Sequence, residues 1–219
     1  MLKRINLQFA RLSKFRKRYN ILRRFDNVDV LIDVGVFEGT SWLYQNINSR
    51  KLVLIDPELQ HFDKSRFQLG SRECIEIESA VGRDNATGYL SWNSKEYARA
   101  SISMKPTLST EVKEVAIKSV SSILGVSNIS RTDSIFLKVD VEGMELEVLR
   151  AFLEKDLNIR GLCVEIAANE NRGESNLVNI INLCNEYGHK FMGISELRRN
   201  MAGDMTVADF IFGRVDAHK

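Results

Sequence analysis

The chain has 219 residues, 44% hydrophobic and 27% charged, enough apolar content for one globular domain with a full core. No apolar run approaches the ~18 residues of a membrane-spanning helix, and the charged N-terminus lacks the apolar centre of a signal peptide, so a cytoplasmic location is predicted. The net charge of +2 hides an asymmetry: residues 1–25 hold nine Lys or Arg and no acid, which leaves the rest at 22 bases against 29 acids.

Within that basic segment Leu2, Ile5, Phe9, Leu12, Phe15, Tyr19, Leu22 and Phe25 recur at helical spacing, so residues 1–25 read as a basic amphipathic helix and residues 26–219 as the domain. The helix suits a cap packed on the domain, a peripheral contact with an anionic membrane or acidic partner, or a presequence, for which serine is scarce. A strand is predicted at 29–34, a helix from about 40, a strand at 51–55, a helix from about 58 and a strand at 74–78. Residues 83–112 are rich in Ser, Thr, Asn and Gly and read as short strands and loops. The alternation resumes with a strand at 113–118, a short helix at 119–124, a strand at 134–140, a helix at 143–155, a strand at 159–167 and a helix at 174–187 capped by Gly188. Strands near 190–194 and 207–214 close the chain. Such alternation predicts a parallel sheet with helices on both faces.

Two segments carry chemistry. In VLIDVGVFEGTSWLY, Gly35 and Gly39 frame a strand-to-helix turn that would bring backbone N–H groups close to a ligand. The spacing is not the G-x-G-x-x-G of dinucleotide enzymes, and Asp33 would repel a pyrophosphate. Asp56, after the second strand, is placed to accept from ribose hydroxyls, although an Asp before Pro57 is also a common turn starter. In IFLKVDVEGMELEVLR an apolar strand ends in Asp140 and Glu142, which share one face if the strand persists through both. They are the candidate acids for activating an acceptor. Glu145 opens the following helix, where it meets the helix dipole. Glu165 interrupts the apolar run LCVEIA and either pairs with Lys138 or faces the acceptor. Together with Asp140 and Glu142 it offers oxygen ligands for Mg2+, but nothing in the spacing requires an ion and no metal site is expected. Cys74, Cys163 and Cys184 read as free, mostly buried thiols, and His61 and His189 as packing or surface histidines.

The two segments together resemble the FkbM family of S-adenosylmethionine-dependent methyltransferases, which carry an IDVGAN-x-G-like first turn and a K-[IV]-D-[VI]-E-G-x-E-like fourth strand. Two departures stand out. Val36 and Phe37 replace the family's Ala and Asn, leaving Glu38 or Ser41 to supply a polar contact, and SVSSIL, with Ser121 and Ser122, replaces T-L-D-D-L. The resemblance implies a class I methyltransferase, Rossmann-like fold: a mostly parallel seven-stranded sheet, helices on both faces and a C-terminal antiparallel hairpin. It implies S-adenosylmethionine contacts from Asp33 to the methionine amino group, from Gly35, Gly39 and Ser41 in the first turn, from Asp56 to ribose, and from Ser79 and Ala80 to adenine. By position, Asp140, Glu142 and Glu165 are the candidate catalytic residues, and the resemblance implies O-methylation of a small-molecule or carbohydrate acceptor. No N-P-P-Y-type motif is present, and the acidic body disfavours nucleic acid. The alternatives are a non-catalytic module of the same fold and an NAD(P)-dependent oxidoreductase.

Overall fold

The computed structural model describes residues 21–92, 101–105, 111–167, 176–199 and 205–214. The basic amphipathic segment of residues 1–20 therefore lies outside the described residues, as do parts of the Ser-rich stretch. The segment's last turn is described: Leu22 and Phe25 are buried, and Arg23–Phe25 forms a 3-10 turn.

The main sheet begins with β1 (Val28–Val34), β2 (Ser49–Asp56) and β3 (Glu73–Glu78), and continues with β8 (Ile135–Val139), β9 (Ile159–Ala167), β10 (His189–Arg199) and β11 (Met205–Arg214). Its strand order is β10-β11-β9-β8-β1-β2-β3. β1 pairs in parallel with β2 and β8, β2 with β3, and β8 with β9, whereas β11 runs antiparallel to both β9 and β10. The sheet is thus mostly parallel with one reversed strand, the class I methyltransferase arrangement that the resemblance implies.

Strands buried on both faces read as mostly apolar runs, and β1 and β8 do, apart from Asp29 and Asp33 of β1 and Lys138 of β8. Val30, Ile32 and Val34 join one core with α3 (Glu145–Leu153) and α4 (Asn176–Glu186), which includes Leu149, Phe152 and Ile180. Leu31, Leu52 and Phe136 join a second core on the opposite face, with Leu22, Phe25, and Leu43 and Tyr44 of α1 (Ser41–Asn46). Gly161 permits this second core to close, because a Cβ there would stand 2.7 Å from both Phe136 and Phe25.

Two sequence expectations change. The helix from about 58 is replaced by two 3-10 turns, Leu59–His61 and Lys64–Arg66. Asp63 is the local cause: its carboxylate accepts from the Ser65 amide at 3.0 Å, an alternative to helical bonding, while Phe62 and Phe67 stack at 5.0 Å. The strand at 113–118 belongs to another sheet. β4 (Ala80–Gly82), β5 (Ala86–Trp92), β6 (Ser101–Ser103) and β7 (Glu111–Ser119) form a four-stranded sheet of order β4-β7-β5-β6. α2 (Val120–Val126), with Ser119 as its N-cap, leads from it back to the main sheet.

Candidate active site

A cavity of about 1140 Å³ lies over the carboxyl ends of β1, β2, β3 and β8, roofed by Leu90, Ile102 and Ile117 of the four-stranded sheet. Open α/β sheets bind ligands at this edge. Gly35, Gly39, Ser41, Asp56, Ser79, Ala80, Asp140, Glu142 and Glu165 all line it.

The glycines of the first turn are needed for reasons other than an open approach to ligand. Gly35 has φ +81, and a Cβ there would overlap the carbonyl oxygen of Asp140. Gly39 has φ +90, and its Cβ would meet Phe67 at 2.6 Å and Phe62 at 2.8 Å. Several amides expected to face a ligand are spent within the protein. Gly35 N–H donates to Ile55, Gly39 N–H to Val36, and Phe37 N–H to Asp56 Oδ2 at 2.9 Å. Phe37 itself has φ +43, a conformation that costs a non-glycine residue free energy and that asparagine tolerates better.

Asp56 therefore does two jobs. Its Oδ2 pins Phe37 and its Oδ1 accepts from the Glu58 amide at 2.7 Å, while the residue keeps a place on the cavity wall. Burial pushes its carboxyl up, and the amides of Phe37 and Glu58 pull it back. Glu58, also on the wall, accepts from Lys113 of β7 at 2.6 Å and so ties the roof to the end of β2. Ser79 is 1% exposed, and its Oγ has no hydrogen-bond partner among the described residues. A buried hydroxyl in that state costs free energy unless a ligand completes it. With Asp56 alongside, this end of the cavity fits a nucleoside.

Asp33 lies elsewhere than the resemblance implies. It is fully buried behind the wall and does not line the cavity. Tyr44 donates to its Oδ2 at 2.5 Å, and Lys138 Nζ stands 3.3 Å from its Oδ1. Lys138 also donates to Asp140 Oδ2 at 3.0 Å. Burial opposes the Lys138 charge, but the Asp140 and Asp33 carboxylates outweigh it and hold the ammonium well above the usual lysine range. Asp33 is thus the floor of an ion-paired ladder, Tyr44–Asp33–Lys138–Asp140.

The strand does not persist through Asp140 and Glu142. β8 ends at Val139, and Glu142 (φ +46) and Gly143 (φ +106) turn the chain, so the two acids reach the cavity from a turn and not from one strand face. Glu145 accepts from the Gly143 amide at 2.7 Å and stabilises that turn, while burial pushes its carboxyl up. Glu165 lies on the wall, and opposite it in register on β11 is Asp209, which also lines the cavity. Asp209 was missed from sequence, although it interrupts VADFIFG in the way Glu165 interrupts LCVEIA.

The Methyltransferase FkbM domain model matches residues 33–191. Among solved structures, a Lactococcus lactis protein described as a candidate hemolysin aligns with a TM-score of 0.50 at 14% identity, covering 91% of this chain and 85% of that one. Precorrin-6y C5,15-methyltransferase from Geobacter metallireducens gives 0.46 at 11% identity, covering 92% and 87%. M. jannaschii TYW2 in complex with AdoMet gives 0.41 at 12% identity, covering 91% and 75%. No curated protein matches the chain. With the family model spanning both the first turn and the DVEGME segment, and the strand order in agreement, the chain belongs to the FkbM methyltransferase family.

Proposed function

We propose that the protein uses S-adenosylmethionine to methylate an oxygen of a small molecule or sugar, without a metal ion. The carrying observation is that one cavity joins a polar end, Asp56 and the Ser79 hydroxyl that lacks a partner among the described residues, to the acids at the ends of β8 and β9. The bound cofactor would supply an electrophilic methyl group on sulfur. With it bound, methyl transfer would form the O–C bond as the C–S bond breaks and leave the electron pair on sulfur, and a carboxylate of this chain would take the hydroxyl proton. Asp140 suits that role, since Lys138 fixes one of its oxygens from below. Alignment and exclusion of water under the four-stranded roof do the rest. The reading also takes the protein as cytoplasmic, with residues 1–25 as the candidate peripheral contact with an anionic membrane.

Calorimetry with S-adenosylmethionine and its demethylated product tests the reading. Micromolar binding is expected, and Asp56→Ala should weaken it by about 1–3 kcal/mol. Asp140→Asn should bind the cofactor like wild type but lose about 10²–10⁴ in turnover, with or without EDTA. Binding of neither compound would overturn the cofactor reading, and unchanged turnover in Asp140→Asn would remove Asp140 as the base.

A further inference from the structure

Asp33 does not reach the cavity, yet it is coupled through one side chain to an acid that does. The parallel register of β1 and β8 sets Asp33 beside Lys138. Lys138 Nζ stands 3.3 Å from Asp33 Oδ1 and donates to Asp140 Oδ2 at 3.0 Å. Among the described residues no hydrogen bond reaches Asp33 Oδ1, so that oxygen meets the ammonium by charge alone. The other carboxylate oxygen accepts from the Tyr44 phenol of α1 at 2.5 Å. Asp33, Tyr44 and Lys138 are 0%, 1% and 3% exposed, whereas Asp140 is half-buried on the cavity wall. The Asp140 amide donates to the Val34 carbonyl at 2.9 Å, which fixes its backbone to β1 as well.

Other titratable groups surround the pair. On β9, Cys163 is in register with Lys138, and Glu165 follows two residues on. Asp209 approaches from β11, Asp56 from the end of β2, and Glu142 and Glu145 from the turn and helix after β8. Asp140 and Asp33 hold the Lys138 charge more strongly than Cys163 or Asp209 does.

A carboxylate whose only neighbour is a buried ammonium makes a poor base. Taking a proton would strand that ammonium without a counter-ion in a place where water does not reach it. A second carboxylate on the same ammonium removes the obstacle, because the charge stays paired when the first is neutralised. Its negative charge also favours proton uptake by the first.

Resting on the reading of Asp140 as the base, we propose that Asp33 is a positioning residue for catalysis, the second counter-ion of Lys138, which lets Asp140 take the acceptor's hydroxyl proton without leaving a buried ammonium unpaired. The proton moves from the hydroxyl oxygen to Asp140, Lys138 keeps its three protons, and Asp33 stays ionised. Asp33 touches neither cofactor nor acceptor in this role, unlike the methionine contact that the family resemblance implies.

The test follows the aspartate side-chain carboxyl carbons of the carbon-13-labelled full chain by NMR across an acid titration, each assigned through its own backbone, so no acceptor is needed. In Asp33→Asn, Asp140 becomes the main counter-ion of Lys138, and its proton uptake should move down by about 1–3 pH units relative to wild type. Calorimetry should find S-adenosylmethionine affinity unchanged in the variant. An Asp140 titration that does not move overturns the proposal, since a merely structural pair would leave it in place. Lost cofactor affinity would put Asp33 at the cofactor and overturn it too. Should Asp33→Asn fail to fold, the wild-type resonance decides: Asp33 is expected as a carboxylate at neutral pH, and a protonated Asp33 overturns the counter-ion role. Unchanged turnover in Asp140→Asn instead removes the base, and failure to bind S-adenosylmethionine removes the methyl-transfer reading beneath both.

Discussion

At the scale of single residues, the informative groups are polar atoms whose burial leaves them a defined set of partners. Ser79 is the sharpest case. Removing its hydroxyl should leave the cofactor-free protein as stable as wild type or slightly more so, because the group has no partner among the described residues. Ser79→Ala should nevertheless weaken cofactor binding by about 1 kcal/mol. Paired melting and calorimetric titration would show these opposite signs, and a loss of stability with unchanged affinity would make the residue structural. Phe37 is the converse case. It occupies a left-handed position at φ +43, held by Asp56, where the family has asparagine. The missing asparagine was legible in the sequence. The conformation that makes it matter was not, since the Phe37 N–H is held by donating to Asp56, nineteen residues away.

Among the elements, the four-stranded sheet most changes what the site can do. Two of its strands, β4 and β6, have only three residues, and its pairings run from β4 to β7 and from β7 back to β5, so local sequence signals indicated strands without saying that they form a separate sheet. Leu90, Ile102 and Ile117 face the cavity from it, and the Lys113–Glu58 pair is its polar tie to the main sheet. Glu58 is nearly buried while Lys113 is half-exposed. Lys113→Met should therefore lower stability by roughly 1 kcal/mol, about 2–4 °C in melting temperature for a domain of this size. The same variant should bind cofactor more weakly, because Glu58 shares its loop with Asp56. Differential scanning calorimetry with and without S-adenosylhomocysteine measures both effects, and a variant indistinguishable from wild type in each would show that apolar contacts suffice to hold the roof.

For the whole molecule, stability should depend on pH through His189. The residue is 3% exposed at the start of β10, and its Nε2 lies 2.9 Å from the Ile159 carbonyl oxygen. Burial lowers its pKa below the ordinary value of 6.5. The unfolded chain then binds a proton that the folded chain resists, so this group costs nothing above pH 6.5 and destabilises increasingly as pH falls below that value. The slope reaches at most about 1.4 kcal/mol per pH unit for one group. Denaturant unfolding at pH 7.5 and 5.5 should show the loss in wild type and a smaller one in His189→Gln, whose amide keeps a donor. Equal losses in both would place the acid sensitivity elsewhere. Among the described residues no helix is long and apolar enough to cross a membrane. The concentration of basic charge in residues 1–25 is a property of the sequence, and its role belongs to the proposal.

What the sequence determined by itself was whatever local chemistry enforces: apolar runs for β1, β8 and β9, glycines where the chain turns, and an acid at the end of β2 and after β8. Those signals span a few residues and survive any packing that keeps both sheet faces covered. Tertiary structure decided the rest because it depends on residues distant in sequence. It drew Asp33 out of the cavity into a buried pair with Lys138, from a strand more than a hundred positions away. It assigned Gly35 to the close approach of the Asp140 carbonyl. It set Asp209 beside Glu165, since only an antiparallel register between β9 and β11 can turn two isolated acids in apolar strands into neighbours on one wall.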